Sequence, residues 1–374
     1  MGRAVNRTLD VAVAINYYFP HISGLTRTAQ AVAEACVESG LSVKVICLQH
    51  DKSLPVAENI NGVAVERVPV LGHIENGLLS PRFPFQVASA ARHARLLHLH
   101  LPMIEGAVIS ALTSRTPRIV SYQCDFTASK KLLQPIINSI VDASSRRTIR
   151  GSERVAVSSL DYAQASRIAP SLSNAVEAFP AVSDRRGGQA SFRVGNGPHY
   201  GSLGRMAPEK GLPELIRAFE LAHVPDSTLL IAGPTPPFTN PEITTLLKQA
   251  STRNPRIKLI GALDESELKD FYASINYFVL PSTNGLEAFG ITQAEALVCG
   301  IPVIATNLPG ARTLQQRFGN GILVPPGDIH ALADALKEIQ TVDVVPRDAQ
   351  TLLMGTHQYL QLIRELLGRQ SSHQ

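Results

Sequence analysis

Two glutamates in one short segment have the spacing and context for binding an extended anionic ligand. The segment reads PSTNGLEAFGITQAEALVCGIPVIAT, with Glu287 in a loop after a predicted buried strand and Glu295 one to two turns into the following helix. Seven residues separate the two carboxylates, so they can reach different parts of one ligand. The amides of Phe289, Gly290 and Ile291 begin the helix, where unpaired N–H groups favour a diphosphate.

Two cations lie in a second segment, GSLGRMAPEKGLPELIRAFELA. A predicted strand ends at Leu203, and Arg205 and Lys210 flank a proline-containing turn before a helix that begins near Leu212. Fixed cations stabilise the negative charge that grows on a departing diphosphate, and so take the place of a divalent metal. Taken singly, each of these cations, like each glutamate of the first segment, is more typical of a solvated surface charge.

Together these motifs resemble family 4 of the retaining glycosyltransferases, which have the GT-B fold, and the similarity extends over essentially the whole chain. The family's E-x7-E signature corresponds to Glu287 and Glu295, and its GR-x-x-PEKG turn to residues 204–211. Its N-terminal glycine loop corresponds to YYFPHISGLTRTA, which contains Ser23 and Gly24.

The resemblance implies a role for each of these positions. The implied contacts are Glu287 with the donor sugar, Glu295 with the ribose hydroxyls, Arg205 and Lys210 with the diphosphate, the backbone near Gly261 with the base, and Gly24 with the donor.

Two further strand ends, HLHLPMIEGA and IVSYQCDF, place His100, Gln123 and Asp125 in the vicinity of the acceptor or the donor sugar. Many members of the family have a histidine where this chain has Gln123, and an amide forms hydrogen bonds but cannot carry a proton. Asp125 is also typical of a loop cap. His98 shares a strand face with His100, but a metal site would need a third ligand that the sequence does not offer.

Short β-branched runs alternate with longer segments of helical period, which predicts parallel βαβ units. The predicted strands are Val11–Ile15, Val43–Leu48, Leu96–Leu101, Arg118–Tyr122 and Arg154–Ser159, then, after a run beginning HYGSLGRM, Thr228–Gly233, Ile257–Ala262, Tyr277–Ser282, Pro302–Thr306 and Gly321–Pro325. One helix is predicted over Thr26–Ser39, closed by Gly40.

We therefore predict an α/β protein of the GT-B class, with two Rossmann-like doubly wound domains facing a central cleft. A polar stretch near residues 185–197 reads as the linker. The expected divisions are an acceptor-binding domain over 1–190, a nucleotide-sugar-binding domain over 191–347, and a helical segment over 348–374, beginning with a helix at Asp348–Leu367, that could cross back to the first domain.

Composition and charge limit the compartment and the classes of partner that are expected for the protein. The 374 residues carry a net charge of +4, which divides into +7 through Arg193 and −3 beyond it. The four cysteines lie far apart without a C-x-x-C pair, as expected in a reducing compartment. No run approaches the roughly 20 apolar residues of a spanning helix, and only 5% of residues are aromatic, so neither a membrane span nor a nucleic-acid partner is expected.

These observations predict a cytoplasmic enzyme, with peripheral contact to the inner membrane surface left open. That contact would use residues 130–151, where apolar residues lie between cations. The family resemblance implies the reaction: metal-independent transfer of a hexosyl group, with retention, from a UDP- or GDP-linked sugar to a glycan, lipid or small molecule, with no cofactor.

We favour attack of the acceptor on the sugar from the same face that the diphosphate leaves, because the motifs contain no well-placed side chain that could act as a nucleophile. One alternative is a donor-binding GT-B protein that is weak or inactive and serves as a regulator or scaffold, suggested by Gln123. A sugar-nucleotide epimerase or phosphorylase is another. A NAD-dependent dehydrogenase is disfavoured because the first strand leads into no G-x-G-x-x-G loop.

Overall fold

The computed structural model describes residues 8–74, 77–128, 133–234, 240–319, 321–341 and 349–371. The chain forms two compact units. Unit 1 comprises Met1–Ala181 and Met354–Gln374, and unit 2 comprises Val182–Leu353. The polar stretch near residues 185–197 lies inside unit 2, where the backbone amide of Gln189 donates to Asp270 at 2.7 Å.

Unit 1 contains ten strands and six helices within the described residues. The strands are β1 (Leu9–Ala14), β2 (Val43–Gln49), β3 (Ala57–Ile60), β4 (Val63–Pro69), β5 (Gly72–Ile74), β6 (Gly77–Leu79), β7 (Ala94–Leu101), β8 (Arg118–Tyr122), β9 (Arg154–Val157) and β10 (Val176–Glu177). The helices are α1 (Gly24–Glu38), α2 (Phe83–His93), α3 (Gly106–Leu112), α4 (Gln134–Arg150), α5 (Leu160–Ala165) and, from the end of the chain, α12 (Gly355–Ser371).

The main sheet of unit 1 has the order β10-β9-β8-β7-β1-β2-β4-β3 and is parallel except for β3. The strand order reverses between β1 and β7, so the loops that follow these two strands flank a switch point. The core joins the sheet to α1 and α12, with Val11, Val45, Val32, Tyr359 and Ile363 among its buried residues.

Unit 2 contains six strands and six helices within the described residues. The strands are β11 (His199–Leu203), β12 (Thr228–Ala232), β13 (Ile257–Gly261), β14 (Tyr277–Leu280), β15 (Val303–Thr306) and β16 (Gly321–Val324). The helices are α6 (Leu212–Ala222), α7 (Pro241–Arg253), α8 (Glu265–Ser274), α9 (Ile291–Val298), α10 (Ala311–Phe318) and α11 (Ile329–Glu338). Residues Pro208–Lys210 form a 3₁₀ turn.

The sheet of unit 2 is entirely parallel in the order β13-β12-β11-β14-β15-β16. From β11 the next strands in the chain, β12 and β13, lie toward one edge of the sheet. From β14 the next strands, β15 and β16, lie toward the other edge. The switch point therefore lies between the carboxyl ends of β11 and β14. This is where open α/β sheets bind ligands.

The loop after β11 packs directly on the end of β14. Gly211 ends the 3₁₀ turn with φ +62°, and a Cβ atom there would lie 2.0 Å from the carbonyl oxygen of Pro281. The backbone amide of Thr283 donates to the carbonyl of Glu209 at 2.9 Å. Only glycine allows this approach of the two loops, so Gly211 sets their separation.

The predicted α/β class is confirmed, and each strand predicted from the sequence is present with ends within two residues of the prediction. Two details were wrong. Helix α1 begins at Gly24 and not at Thr26, because Ser23 caps it, whereas Gly40 does close the helix, with φ +86° one residue beyond the C-cap Ser39. The final helix begins at Gly355, after a 3₁₀ turn, and the predicted start at Asp348 lies outside the described residues.

A buried polar network holds α12 against the sheet of unit 1. The Nε2 atom of His98 lies 2.7 Å from the hydroxyl of Ser121, and the ring of His98 stacks on Tyr359 at 5.9 Å. His98 and His100, with rings 4.2 Å apart, are both inaccessible to solvent. Burial lowers the pKa of His98 to about 3 and lowers that of His100 well below its usual range, so both rings are neutral.

These histidines predict acid sensitivity. Well above about pH 6.5, the usual pKa of histidine, these residues are neutral in both the folded and the unfolded chain. Below that pH the unfolded chain binds protons that the folded chain excludes, so stability falls until the folded pKa is reached, by up to about 1.4 kcal/mol per pH unit for each histidine. Chemical unfolding of the wild type and of His98→Asn between pH 7 and 5 should show the smaller loss in the variant. The exposed His93→Gln is the control, and equal slopes in all three proteins would contradict the assignment.

Because Gly211 contacts Pro281 so closely, replacing it should lower the free energy of unfolding by more than backbone strain alone would. Gly211→Ala should cost about 2 to 4 kcal/mol, from the left-handed backbone and from displacement of Pro281. Gly300 also has a positive φ, +75°, but no atom lies within 4 Å of its Cβ position. Gly300→Ala should therefore cost about 1 to 2 kcal/mol. Denaturant unfolding of both variants measures the difference, and equal losses would show that the close approach does not constrain the loops.

Candidate active site

The switch point of unit 2 brings together one predicted cation and one predicted carboxylate. Lys210 follows β11 and Glu287 follows β14, and Nζ of Lys210 lies 2.5 Å from Oε2 of Glu287. The hydroxyl of Ser282 donates to the same oxygen at 3.0 Å. The side chains of Lys210 and Glu287 are 23% and 13% exposed. The pair is therefore partly shielded, and its attraction is stronger than that of a surface pair.

Arg205 lies in the same loop but does not join this pair. Its guanidinium donates to Glu209, four residues along, at 2.9 Å, and its side chain is 53% exposed. An exposed pair of this kind contributes about 0 to 1 kcal/mol. Arg205 can therefore exchange Glu209 for another anion at little cost.

The N-terminus of α9 follows the Glu287 loop directly. Gly290 is the N-cap, with φ +83°, and Ile291 is the first helical residue. A Cβ atom at residue 290 would lie 2.6 Å from Nε2 of Gln293, whose amide donates to the carbonyls of Phe289 at 3.0 Å and Ala311 at 2.8 Å. Phe289 is itself buried. This packing fixes the direction in which the first amides of the helix point.

Glu295, on the same helix, lies in the interior of unit 2. It is 2% exposed, so the interpretation as a solvated helix charge does not apply to it. Its Oε1 accepts from Nε of Arg185 at 3.0 Å, and the hydroxyl of Tyr272 lies 3.0 Å from its Oε2. Burial alone would lower the pKa of Arg185, but the charges of Glu295 and Glu265 outweigh burial and raise that pKa.

The remaining predicted donor residue of unit 2, Gly261, ends β13. Its carbonyl accepts from the amide of Gly233, at the end of β12, at 2.8 Å. The amide of Gly204, after β11, donates to the carbonyl of Ala232 at 3.0 Å. Glycines therefore lie at or directly after the ends of three neighbouring strands, with their backbones close together, on the same edge of the sheet as Lys210 and Glu287.

In unit 1, Gly24 is the first residue of α1 and lies beside the switch point of its own sheet. Ser23 caps the helix: its hydroxyl accepts from the amide of Thr26 at 3.2 Å, and the hydroxyl of Thr26 accepts from the amide of Ser23 at 2.8 Å. This reciprocal capping box fixes the path of the glycine loop into the helix.

The other predicted residues of unit 1 differ in their surroundings. His100 is 2% exposed, so it lies inside the unit rather than at the surface of a strand end. Gln123 is half-buried, and its backbone N–H donates to the carbonyl of Leu101 at 3.1 Å. Asp125 accepts hydrogen bonds at 2.5 Å from the hydroxyls of Tyr122 and Ser166. Asp125 thus anchors its own loop, as the loop-capping interpretation requires.

Sequence reasoning missed three residues that hold this arrangement: Arg185, Tyr272 and Ser282. Ser282 is the last residue of the predicted strand Tyr277–Ser282 and precedes the glutamate loop, and this position was a signal that the sequence offered. Arg185 lies 110 residues before its partner Glu295, and no local pattern connects them. Tyr272 lies on α8, and nothing in the sequence of that helix indicates that its hydroxyl contacts Glu295.

Two further features of the described residues concern metal binding and the spanning of a membrane. Within the described ranges, no group of three or more His, Cys, Asp or Glu side chains is arranged to hold a metal ion. No helix in the described part of the chain has the length and apolar character to span a membrane.

Comparison with known proteins identifies the chain. The family model "Glycosyl transferase 4-like domain" matches residues 23–168, and "Glycosyl transferases group 1" matches residues 189–344. Over 348 residues the chain is 28% identical to a phosphatidyl-myo-inositol mannosyltransferase of Mycobacterium leprae, covering 90% of this chain and 89% of that protein.

Solved structures share the fold. A sucrose-phosphate synthase from Thermosynechococcus elongatus superposes with a TM-score of 0.71 at 18% identity, covering 97% of this chain and 98% of that one. Anabaena HepE in complex with UDP and glucose superposes with a TM-score of 0.67 at 19% identity, covering 96% and 99%. The predicted fold class and family resemblance are confirmed: the chain belongs to the group 1, family-4 type of glycosyl transferases and is a glycosyltransferase with the GT-B fold.

Proposed function

We propose that this chain moves a hexosyl group from a UDP- or GDP-linked sugar to a glycan, lipid or small-molecule acceptor, with retention and without a metal or cofactor. The observation that carries the proposal is the Lys210–Glu287 pair at the switch point of unit 2. The UDP and glucose named with Anabaena HepE and the lipid acceptor named for the Mycobacterium leprae relative support the donor and acceptor classes.

Lys210 suits the role of diphosphate partner. An ammonium group has three hydrogen-bond donors, and Glu287 accepts one of them. We assign the other two to the diphosphate, with Arg205 released from Glu209 as the second cation. The first amides of α9, at Phe289, Gly290 and Ile291, add the helix dipole. Together these groups oppose the charge that develops on the leaving diphosphate.

Glu287 is assigned to the donor sugar, where positive character grows as the glycosidic bond breaks. Its Oε2 is occupied by Lys210 and Ser282, an arrangement that suits orientation and charge stabilisation better than covalent attack. We therefore favour attack from the face that the diphosphate leaves, with a phosphate oxygen accepting the proton of the acceptor hydroxyl. Glu295 is assigned to the ribose, the glycine edge near Gly261 to the base, and Gly24 in unit 1 to the donor.

An alternative function, binding of the donor with little or no transfer, is suggested by Gln123. An amide in that position can orient a sugar hydroxyl but cannot exchange a proton. Calorimetry would detect UDP or GDP binding in either case. Release of nucleoside diphosphate from sugar donors, in the presence of mixed lipid and glycan acceptors, separates the two: binding without release favours the alternative.

Peripheral membrane contact is proposed for α4. Ile136 and Ile140 are 60% and 49% exposed, and Arg146, Arg147 and Arg150 are exposed further along the same helix. An apolar patch beside cations suits the surface of an anionic bilayer. Residues 130–132, at the start of the predicted membrane segment, lie outside the described residues.

Sedimentation with vesicles tests this contact. The wild type should bind phosphatidylglycerol vesicles more strongly than phosphatidylcholine vesicles, and binding should fall with salt. Replacing Ile136 and Ile140 together by Ser should weaken binding at least about tenfold, because apolar area leaves the interface. Val194→Ser, an exposed apolar residue of unit 2, is the control. Wild-type binding by the double variant would contradict the assignment to α4.

Turnover should persist in EDTA, because Lys210, Arg205 and the helix amides are assigned the work of a divalent metal. The assay follows nucleoside diphosphate release before and after chelation. Activity that disappears in EDTA and returns with Mg²⁺ or Mn²⁺ would show that a metal, and not these residues, neutralises the leaving group.

The two glutamates should respond differently to the same change. Glu295→Gln should chiefly raise the donor KM, because ribose binding contributes equally to ground and transition states. Glu287→Gln should chiefly lower kcat and leave binding of UDP or GDP nearly intact. Steady-state kinetics with calorimetric titration distinguish these effects.

The control for this comparison is Glu220→Gln on α6, whose partner Arg253 is exposed. Glu295→Gln should also lower stability, because Arg185 loses a buried counter-charge, so rates are referred to the folded fraction. Small and equal effects of the two site variants on KM and kcat would reject both assignments.

A further inference from the structure

Arg185 is a buried cation directly after the boundary between the two units. It is 2% exposed, and the chain passes from unit 1 to unit 2 between Ala181 and Val182. Its guanidinium contacts two helices: Nε donates to Glu295 on α9 at 3.0 Å, and Nη1 donates to Glu265 at the start of α8. The side chain thus ties the connecting segment to both helices.

The contacts of Glu295 hold both of its oxygens. Arg185 binds Oε1, and the hydroxyl of Tyr272, which also lies 2.9 Å from the carbonyl oxygen of Thr292, lies 3.0 Å from Oε2. A free glutamate side chain samples many rotamers, and these contacts restrict the orientation of the carboxylate plane. A carboxylate can accept about four hydrogen bonds, so this clamp is compatible with further donors from a ligand.

Arg185 suits this role better than a lysine would. Its planar fork presents several donors in fixed directions, whereas an ammonium group is a point charge on a flexible stem. The Nη2 atom is buried without a hydrogen-bond partner among the described residues. Such an unpaired buried donor is unfavourable for stability alone, which suggests that the network serves more than folding.

We infer that Arg185 is a positioning residue of the donor site, which orients the Glu295 carboxylate toward the vicinal hydroxyls of the donor ribose. The inference rests on the proposed function, because it needs Glu295 to contact ribose. It adds that recognition of ribose depends on a residue outside the E-x7-E segment, at the connection between the units. Arg185 itself does not touch the ligand.

Ribose discrimination measures positioning directly. Calorimetry would compare UDP and GDP with their 2′,3′-dideoxy analogues on the wild type, Arg185→Met, Arg185→Lys and Glu295→Gln. The wild type should bind the ribonucleotide at least about tenfold more tightly, the effect of losing a hydrogen bond to a charged group. Arg185→Met and Glu295→Gln should reduce this preference to about twofold or less. Combining the two changes should reduce it no further, because both act on one carboxylate.

Two further variants keep the test decisive. Arg185→Lys retains the buried charge, so it can be measured even if Arg185→Met fails to fold. Its preference for the ribonucleotide should lie between those of the wild type and Glu295→Gln. Arg253→Met removes an exposed arginine on α7 and should keep the wild-type preference. A loss of folding alone would lower the bound fraction and leave the ratio of the two dissociation constants unchanged.

The outcomes separate the inference from the function on which it rests. If the wild type binds neither UDP nor GDP, the proposed donor class fails. If it binds them without preference for ribose, the Glu295 assignment fails and the positioning role fails with it. If the wild type and Arg185→Lys show the same strong preference while Glu295→Gln loses it, only the inference about Arg185 is overturned.

Discussion

The ion pair between Lys210 and Glu287 exists because β11 and β14 are neighbours in the sheet, although 73 residues of chain separate the end of one from the start of the other. Strand order reverses between them, so the loops that follow open toward the same space. The close approach of Gly211 to Pro281 then sets how near the two loops come. The charges that this account assigns to the leaving group and the sugar depend on that one topological feature.

Buried charge supports the site from within unit 2. Glu295 and Arg185 would each be unfavourable alone in the interior, and together they join α9, α8 and the connecting segment. Unit 1 uses neutral polar groups for the same purpose: His98, Ser121 and Tyr359 hold α12 on the sheet. Helix α12 is the last element of the chain, so unit 1 is completed only after unit 2 has been traversed.

The features that could be predicted from the sequence are those that a local pattern encodes, such as the bounds of buried strands. Strand β8 was predicted with its observed bounds, Arg118–Tyr122, because a buried β-branched run has sharp ends. The hairpin of β3 and β4 was missed although Asn61 and Gly62, both with positive φ, carry a turn signal between the strands. The Arg185–Glu295 pair and the burial of His100 were beyond prediction, because each depends on which distant elements pack together. The roles of the site residues remain predictions from motif and geometry.

Turnover of Lys210→Ala tests the central assignment most directly. Removing a preorganised cation that stabilises the leaving group should lower kcat about 10²-fold to 10³-fold. The free energy of unfolding should fall by only about 1 to 3 kcal/mol, because Glu287 loses a charged partner but keeps its hydrogen bond from Ser282. Lys248→Ala, on the exposed face of α7, is the charge-matched control and should turn over like the wild type. A folded Lys210→Ala protein with wild-type kcat would contradict the account, because Lys210 would then be an ordinary surface charge.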